Sequence, residues 1–284
     1  PEMAKDSETS PESADVLQDR LRILCLHGYR QNADSFKSKL GSFRKFVKKY
    51  ADFVFITAPH NAAPMPGEED KDISDQKSWW FNKDDKTFKG TNQNGPAYGF
   101  GESVKLVEKV WTEQGPFHGL LGFSQGACFV SLLCSLGQRN FSVVRPKFAI
   151  LASGFRSGSL AHRNYYEVEI TIPTLHIYGE KDEIIPKEMS LELLEKFSEP
   201  KILTHPGGHY FPATAKEKQT FVNFFEDRLI AVLEEQELER AAAVFEEQSE
   251  NDNEGESEED KEGKSNTESD DISGESEEDV KKNM

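Results

Sequence analysis

A serine between two glycines, Gly122-Phe123-Ser124-Gln125-Gly126, constrains this chain more than any other stretch. The apolar run Leu120-Leu121-Gly122-Phe123 leads into it, and a second apolar run, 127–136, leads out. This reads as a buried strand turning sharply into a helix, with a serine at the bend. Such a bend strains the serine backbone and tolerates only small neighbours, which Gly122 and Gly126 provide. A helix beginning at Gln125 aims its free N–H groups and positive dipole end at the bend, where an oxyanion is stabilised. An ordinary glycine-rich turn also fits five residues with three fixed. The strand before and the helix after separate the two readings.

The rest of the chain alternates strand and helix. Apolar runs at 21–26, 53–57, 148–152, 174–178 and 201–204 predict strands. Helices are predicted where apolar residues recur at helical spacing. Phe36, Leu40, Phe43, Val47 and Tyr50 mark one helix, and 97–113 a second, stopped by Gly115-Pro116. The helix after the serine ends at Gly137. Two more cover 186–197 and 213–233, the last continuing through the charged run 234–248 as an exposed arm. The strands are continuous apolar runs with no alternation, the mark of a parallel sheet covered on both faces. The expected class is α/β, a mostly parallel sheet with helices on both faces.

The formal charge of -17 belongs mostly to one end. Residues 246–284 hold 17 acidic and 4 basic side chains, -13 in all, which leaves -4 for the remainder. No basic stripe appears, which argues against nucleic-acid binding. The division expected is a disordered segment 1–19, a folded domain 20–233, and a charged helical extension with a disordered acidic tail over 234–284. Cys25, Cys128 and Cys134 lie in apolar runs with no CxxC or Cys/His spacing, so buried reduced thiols are expected. Residues 1–20 lack the apolar core of a signal peptide, and no apolar run approaches the roughly 20 residues that span a bilayer. These features predict a cytoplasmic protein without stable membrane insertion; a nuclear location is compatible.

A serine hydroxyl needs a base in hydrogen-bond reach, and the base needs an acid to hold its tautomer. In a strand–serine–helix architecture the order along the chain is nucleophile, acid, histidine, each just past a strand. After the strand at 174–178, Glu180, Asp182 and Glu183 offer carboxylates. Asp182 is favoured because it lies just before the apolar Ile184-Ile185, with a helix-capping role as the alternative. After 201–204 come His205 and His209. His209 is favoured because Gly207 and Gly208 let its loop fold over the sheet, whereas His205 abuts the strand before Pro206. The remaining histidines have no motif around them; His176, mid-strand, is expected to be a satisfied core residue. No cluster suggests a metal or another cofactor. The oxyanion hole needs two backbone N–H groups, expected from Gln125 and from Tyr29 in the loop after the first strand. His27 in that loop is expected to be structural, and Arg30 to form a salt bridge.

Residues 59–95 show neither helical nor alternating spacing and are rich in Pro, Gly, Asp and Lys. Irregular stretches of this length are functional or mobile loops. Trp79, Trp80 and Phe81 within it have two compatible readings. They anchor the loop to the core, or they form an apolar substrate-binding wall beside the serine.

Several of these segments together resemble one family. Leu24-Cys25-Leu26-His27-Gly28-Tyr29-Arg30-Gln31-Asn32, Ser78-Trp79-Trp80-Phe81, Gly115-Pro116-Phe117, Gly119 through Ala127, and Ser153-Gly154-Phe155 are similar in kind and order to the FSH-type serine hydrolases, which include the ovarian cancer-associated gene 2 protein-like esterases. The resemblance covers about residues 21–230. It implies an α/β-hydrolase fold, no cofactor, and carboxylesterase activity on small-molecule esters with medium- to long alkyl or acyl chains. Ser124, Asp182 and His209 match the family's triad positions. An acyl-thioesterase with the same triad suits the same motif. A third reading, from another class, is a low-activity interaction protein working through its acidic tail. There Ser257, Ser269 and Ser276 precede carboxylates and could be phosphorylated to engage protein partners.

Overall fold

A computed structural model describes residues 20–262, apart from 66 and 69, with side chains described as far as Glu246. The expected disorder of 1–19, the tail beyond 262 and Ser269 and Ser276 lie outside the described residues. Two compact units divide the chain at Glu234 and Glu235.

The first unit is built on six parallel strands, β1 (Leu21–Leu26), β2 (Ala51–Ile56), β5 (Gly119–Phe123), β6 (Phe148–Ala152), β7 (Thr174–Gly179) and β8 (Lys201–His205). Their order is β2-β1-β5-β6-β7-β8. Successive strand residues point to opposite faces, and here both faces are apolar. In β1, Leu24 and Leu26 enter one core, with Trp79, Val107 and Leu133, while Leu21, Ile23 and Cys25 enter the other, with Phe36, Phe43 and Phe225. The first core is covered by α3 (Phe100–Gln114), α4 (Gln125–Gln138) and α5 (Lys187–Leu194). The second is covered by α1 (Ala33–Lys39), α2 (Gly41–Phe46) and the start of α6 (Ala215–Glu262). All three cysteines are free and buried.

The chain leaves β1 for one neighbour, β2, and returns to the other, β5, with β1 between them. That reversal opens a crevice at the carboxyl ends of β1 and β5, where ligands bind in sheets of this kind.

Several elements differ from the sequence expectation. The helix expected over Phe36 to Tyr50 is two helices, broken at Leu40. Glycine is a poor helix former, and Gly41 follows the break. The inward face survives, since Phe36, Leu40, Phe43, Val47 and Tyr50 are all buried. Gly137 does not end α4. It lies within the helix, where a Cβ would come 2.1 Å from the Val144 carbonyl oxygen, so close packing requires it. The irregular stretch contains a short antiparallel pair, β3 (His60–Asn61) with β4 (Lys77–Ser78), too short for alternation to reveal. Residues 160–166 form a 3-10 turn. α6 continues past 248 to Glu262, and its backbone therefore includes Ser257; once nucleated, a Glu- and Lys-rich segment propagates a helix at little cost. Among the described residues no helix is long and apolar enough to cross a membrane.

Candidate active site

Ser124 lies between the last residue of β5 and the first of α4, with φ 52° and ψ −115°. A side-chain-bearing residue in that region costs about 1–3 kcal/mol and persists only where its surroundings impose it. The constraint is visible at both glycines. A Cβ on Gly122 would lie 2.4 Å from the Gly126 carbonyl oxygen, and one on Gly126 would lie 2.1 Å from that of Leu26. The bend therefore packs directly on the end of β1. The Ser124 N–H donates to the Ala152 carbonyl at 2.8 Å, which ties it to β6.

Two other strand ends bring their side chains to this serine. Beyond β8 the chain folds back through Gly207 and Gly208. A Cβ on Gly179, at the end of β7, would lie 2.4 Å and 2.5 Å from their carbonyl oxygens, so the two loops touch. This places the His209 imidazole with Nε2 3.0 Å from Ser124 Oγ and Nδ1 2.8 Å from Asp182 Oδ2. The ring also packs against Phe123, 4.9 Å between centroids. Asp182 Oδ1 accepts the N–H groups of Ile184 (3.0 Å) and Ile185 (2.9 Å), which fixes the carboxylate on its turn. Burial raises the pKa of Asp182, but the bonds from His209, Ile185 and Ile184 together outweigh it and hold the carboxyl below its usual value. An ionised Asp182 requires Nδ1 of His209 to carry a proton, which leaves Nε2 as an acceptor toward Ser124.

The alternatives lie elsewhere. Glu180 and Glu183 are exposed. His205 is buried at the end of β8, with Nδ1 accepting the Gly207 N–H at 3.3 Å. His176 is buried beside Phe197, but its Nε2 has no partner among the described residues, so it is a core histidine without the expected satisfaction.

The loop after β1 lies against the serine, since a Cβ on Gly28 would come 3.4 Å from Ser124 Cβ. Neither the backbone N–H of Tyr29 nor that of Gln125 is taken up by a hydrogen bond among the described residues. His27 beneath the loop is fully buried. Its Nε2 accepts the Ala58 N–H at 3.0 Å, so Nδ1 carries the proton and donates to the Gly28 carbonyl at 2.8 Å. Arg30 pairs with Glu68 and donates to the Ala63 carbonyl at 2.7 Å.

The aromatic segment requires a correction. Trp79 and Trp80 are 0% exposed and Phe81 8%, so the two tryptophans offer no wall to a substrate. They anchor the loop, as the other reading held. The Trp79 indole N–H donates to the His27 carbonyl at 2.8 Å. Trp80 packs among Phe88, Phe100 and Phe129. Sequence reasoning gave Gln125 a backbone role alone and missed its side chain. That amide, fully buried, accepts the Trp79 N–H at 3.0 Å and donates to the Trp80 carbonyl at 2.8 Å, bolting the loop to the start of α4. A polar residue at the head of an otherwise apolar helix was the available signal. Aromatic surface beside the site comes instead from residues far apart in sequence. Phe36, Phe123, Tyr210, Phe211 and His209 line a cleft of about 360 Å³.

Residues 17–221 match the family described as serine hydrolase (FSH1). Esterase AAEL000016 of Aedes aegypti is 61% identical over 242 residues, covering 84% of this chain and 88% of that protein. Esterase OVCA2 of Danio rerio is 42% identical, covering 72% of this chain and 96% of that protein. Esterase OVCA2 of Homo sapiens is 34% identical with the same coverage, 72% and 96%. Among solved structures, Zea mays acyl-protein thioesterase 2 superposes with a TM-score of 0.54 at 18% identity, over 74% of this chain and 94% of that one. At that identity the likeness shows the shared α/β-hydrolase fold.

Proposed function

The chain belongs to the FSH1 family of serine hydrolases, and from that premise we propose that it is a carboxylesterase working through Ser124, His209 and Asp182. The observation that carries this is one imidazole bonded on opposite edges, to the serine hydroxyl at 3.0 Å and to the carboxylate at 2.8 Å.

In this reading His209 Nε2 takes the hydroxyl proton as Ser124 Oγ attacks the ester carbonyl. Asp182 holds the tautomer and stabilises the imidazolium. The N–H groups of Tyr29 and Gln125 receive the oxyanion, a contribution worth about 10²–10³ in kcat for each donor. The tetrahedral intermediate collapses as the alcohol leaves with the proton from His209. Water, deprotonated by the same nitrogen, then hydrolyses the acyl-enzyme and restores the serine. The substrates proposed are esters with medium to long alkyl or acyl chains. The activity is assigned wholly to residues 20–233, so deleting 250–284 leaves turnover unchanged.

The test is turnover of a series of p-nitrophenyl esters of increasing acyl length, with matched thioesters alongside. Turnover that falls at least about 10³-fold in Ser124→Ala and His209→Ala supports the assignment. Retained turnover in either variant, with the fold intact, excludes it. A consistent preference for the thioesters would move the substrate to that class with the same residues.

A further inference from the structure

We infer that the aromatic cleft beside His209 holds the alcohol portion of the ester, and that Lys39 makes it select alcohols bearing an anionic group. This rests on the triad reading above. That reading fixes which half of the substrate lies on which side. The departing alkoxide collects its proton from His209, so the alcohol half must leave past the imidazole. His209 is itself a wall of the cleft, and Phe123, the residue before Ser124, is another. Half-buried Phe211 and exposed Tyr210 add aromatic surface, the buried Phe36 and Phe123 back it from the core, and Lys39 and Gln31 bring polar groups to it.

Lys39 is the informative residue. It ends α1, is exposed, and makes no hydrogen bond or ion pair among the described residues. Its charge is therefore available to a ligand. Arg30, another cation near the serine loop, is already paired with Glu68. An aromatic trough with one free ammonium on its lining matches a short aliphatic chain ending in a carboxylate or similar anion.

The test compares three esters of one size. Butyl hexanoate is neutral. The hexanoate ester of 4-hydroxybutanoate carries a carboxylate on the alcohol side. The monobutyl ester of hexanedioate carries it on the acyl side. The wild type should favour the second over the first about threefold to tenfold in kcat/KM, through KM, as expected for one partly exposed ion pair. Raising the salt to about 0.5 M should erode that preference. Lys39→Gln should abolish it, Lys39→Glu reverse it and Lys39→Arg keep it, each read as the ratio of kcat/KM for the anionic and neutral esters within the same variant. Equal effects of Lys39→Gln on all three esters, or no effect on any, overturn the inference. So does a Lys39-dependent preference for the acyl-side anion. If Ser124→Ala leaves butyl hexanoate turnover intact, it is the triad reading that falls.

Discussion

His27 offers a way to separate aim from stability in the serine loop. The Gly28 carbonyl and the Tyr29 N–H belong to one planar trans peptide and point in opposite directions. Holding the carbonyl therefore aims the N–H. His27 Nδ1 holds it at 2.8 Å, aided by the Gln31 N–H at 3.2 Å, while Nε2 accepts from Ala58 at 3.0 Å. Asparagine places a donor near the position of Nδ1, and glutamine places an acceptor near that of Nε2. His27→Asn should keep the aim and orphan the Ala58 N–H, costing about 1–3 kcal/mol of stability. His27→Gln should spare Ala58 and lose the aim. Because Gln31 still bonds the carbonyl, the loss in kcat should be about tenfold to a hundredfold, less than outright removal of an oxyanion donor. Thermal melts and steady-state kinetics on one p-nitrophenyl ester read both effects. If the two variants lose kcat equally, or if His27→Gln keeps wild-type kcat, Tyr29 is not aimed through His27.

Acid should destabilise the fold in a defined window. Burial lowers His27 and His162 to about 4 and His176 to about 3, with the Gly28 bond partly opposing the shift at His27. Each therefore binds more protons unfolded than folded between those values and 6.5. Their stabilisation is complete above pH 6.5 and is lost as pH falls toward 4 and 3. Melting temperature should drop across that range, and His176→Phe should remove about one proton from the slope; an unchanged slope would contradict the burial argument. Ser124→Gly should abolish turnover yet raise stability by up to about 1–2 kcal/mol, because glycine accepts a φ of 52° without the strain. A destabilised Ser124→Gly protein in urea melts would mean that the bend stores little.

What could be read in the sequence was whatever strong local physics dictates. Continuous apolar runs such as Leu120 to Phe123 imply strands buried on both faces, and those strands pair in parallel. Small residues flanking Ser124 imply the bend, and paired glycines before His209 imply a loop able to fold inward. Asp182 precedes two apolar residues, of which Ile185 turns back into the core while Ile184 stays exposed. What could not be read depends on tertiary neighbours. The break at Leu40 leaves the apolar spacing of its helix intact, so spacing alone cannot show it. Trp79 and Trp80 look the same in sequence whether they face a cleft or the core. Their backbone is held by the Gln125 side chain, 46 and 45 residues away, and their rings pack on Phe129. The cleft is assembled from α1, β5 and the His209 loop, an encounter that no local pattern encodes.

The central claim is that one serine, activated by one imidazole, is the nucleophile. Labelling with a fluorophosphonate, followed by peptide mapping, measures this directly. The account predicts a single adduct per chain, on Ser124, absent in Ser124→Ala and strongly slowed in His209→Ala. An adduct on another residue, or labelling of Ser124 at an undiminished rate without His209, would contradict it.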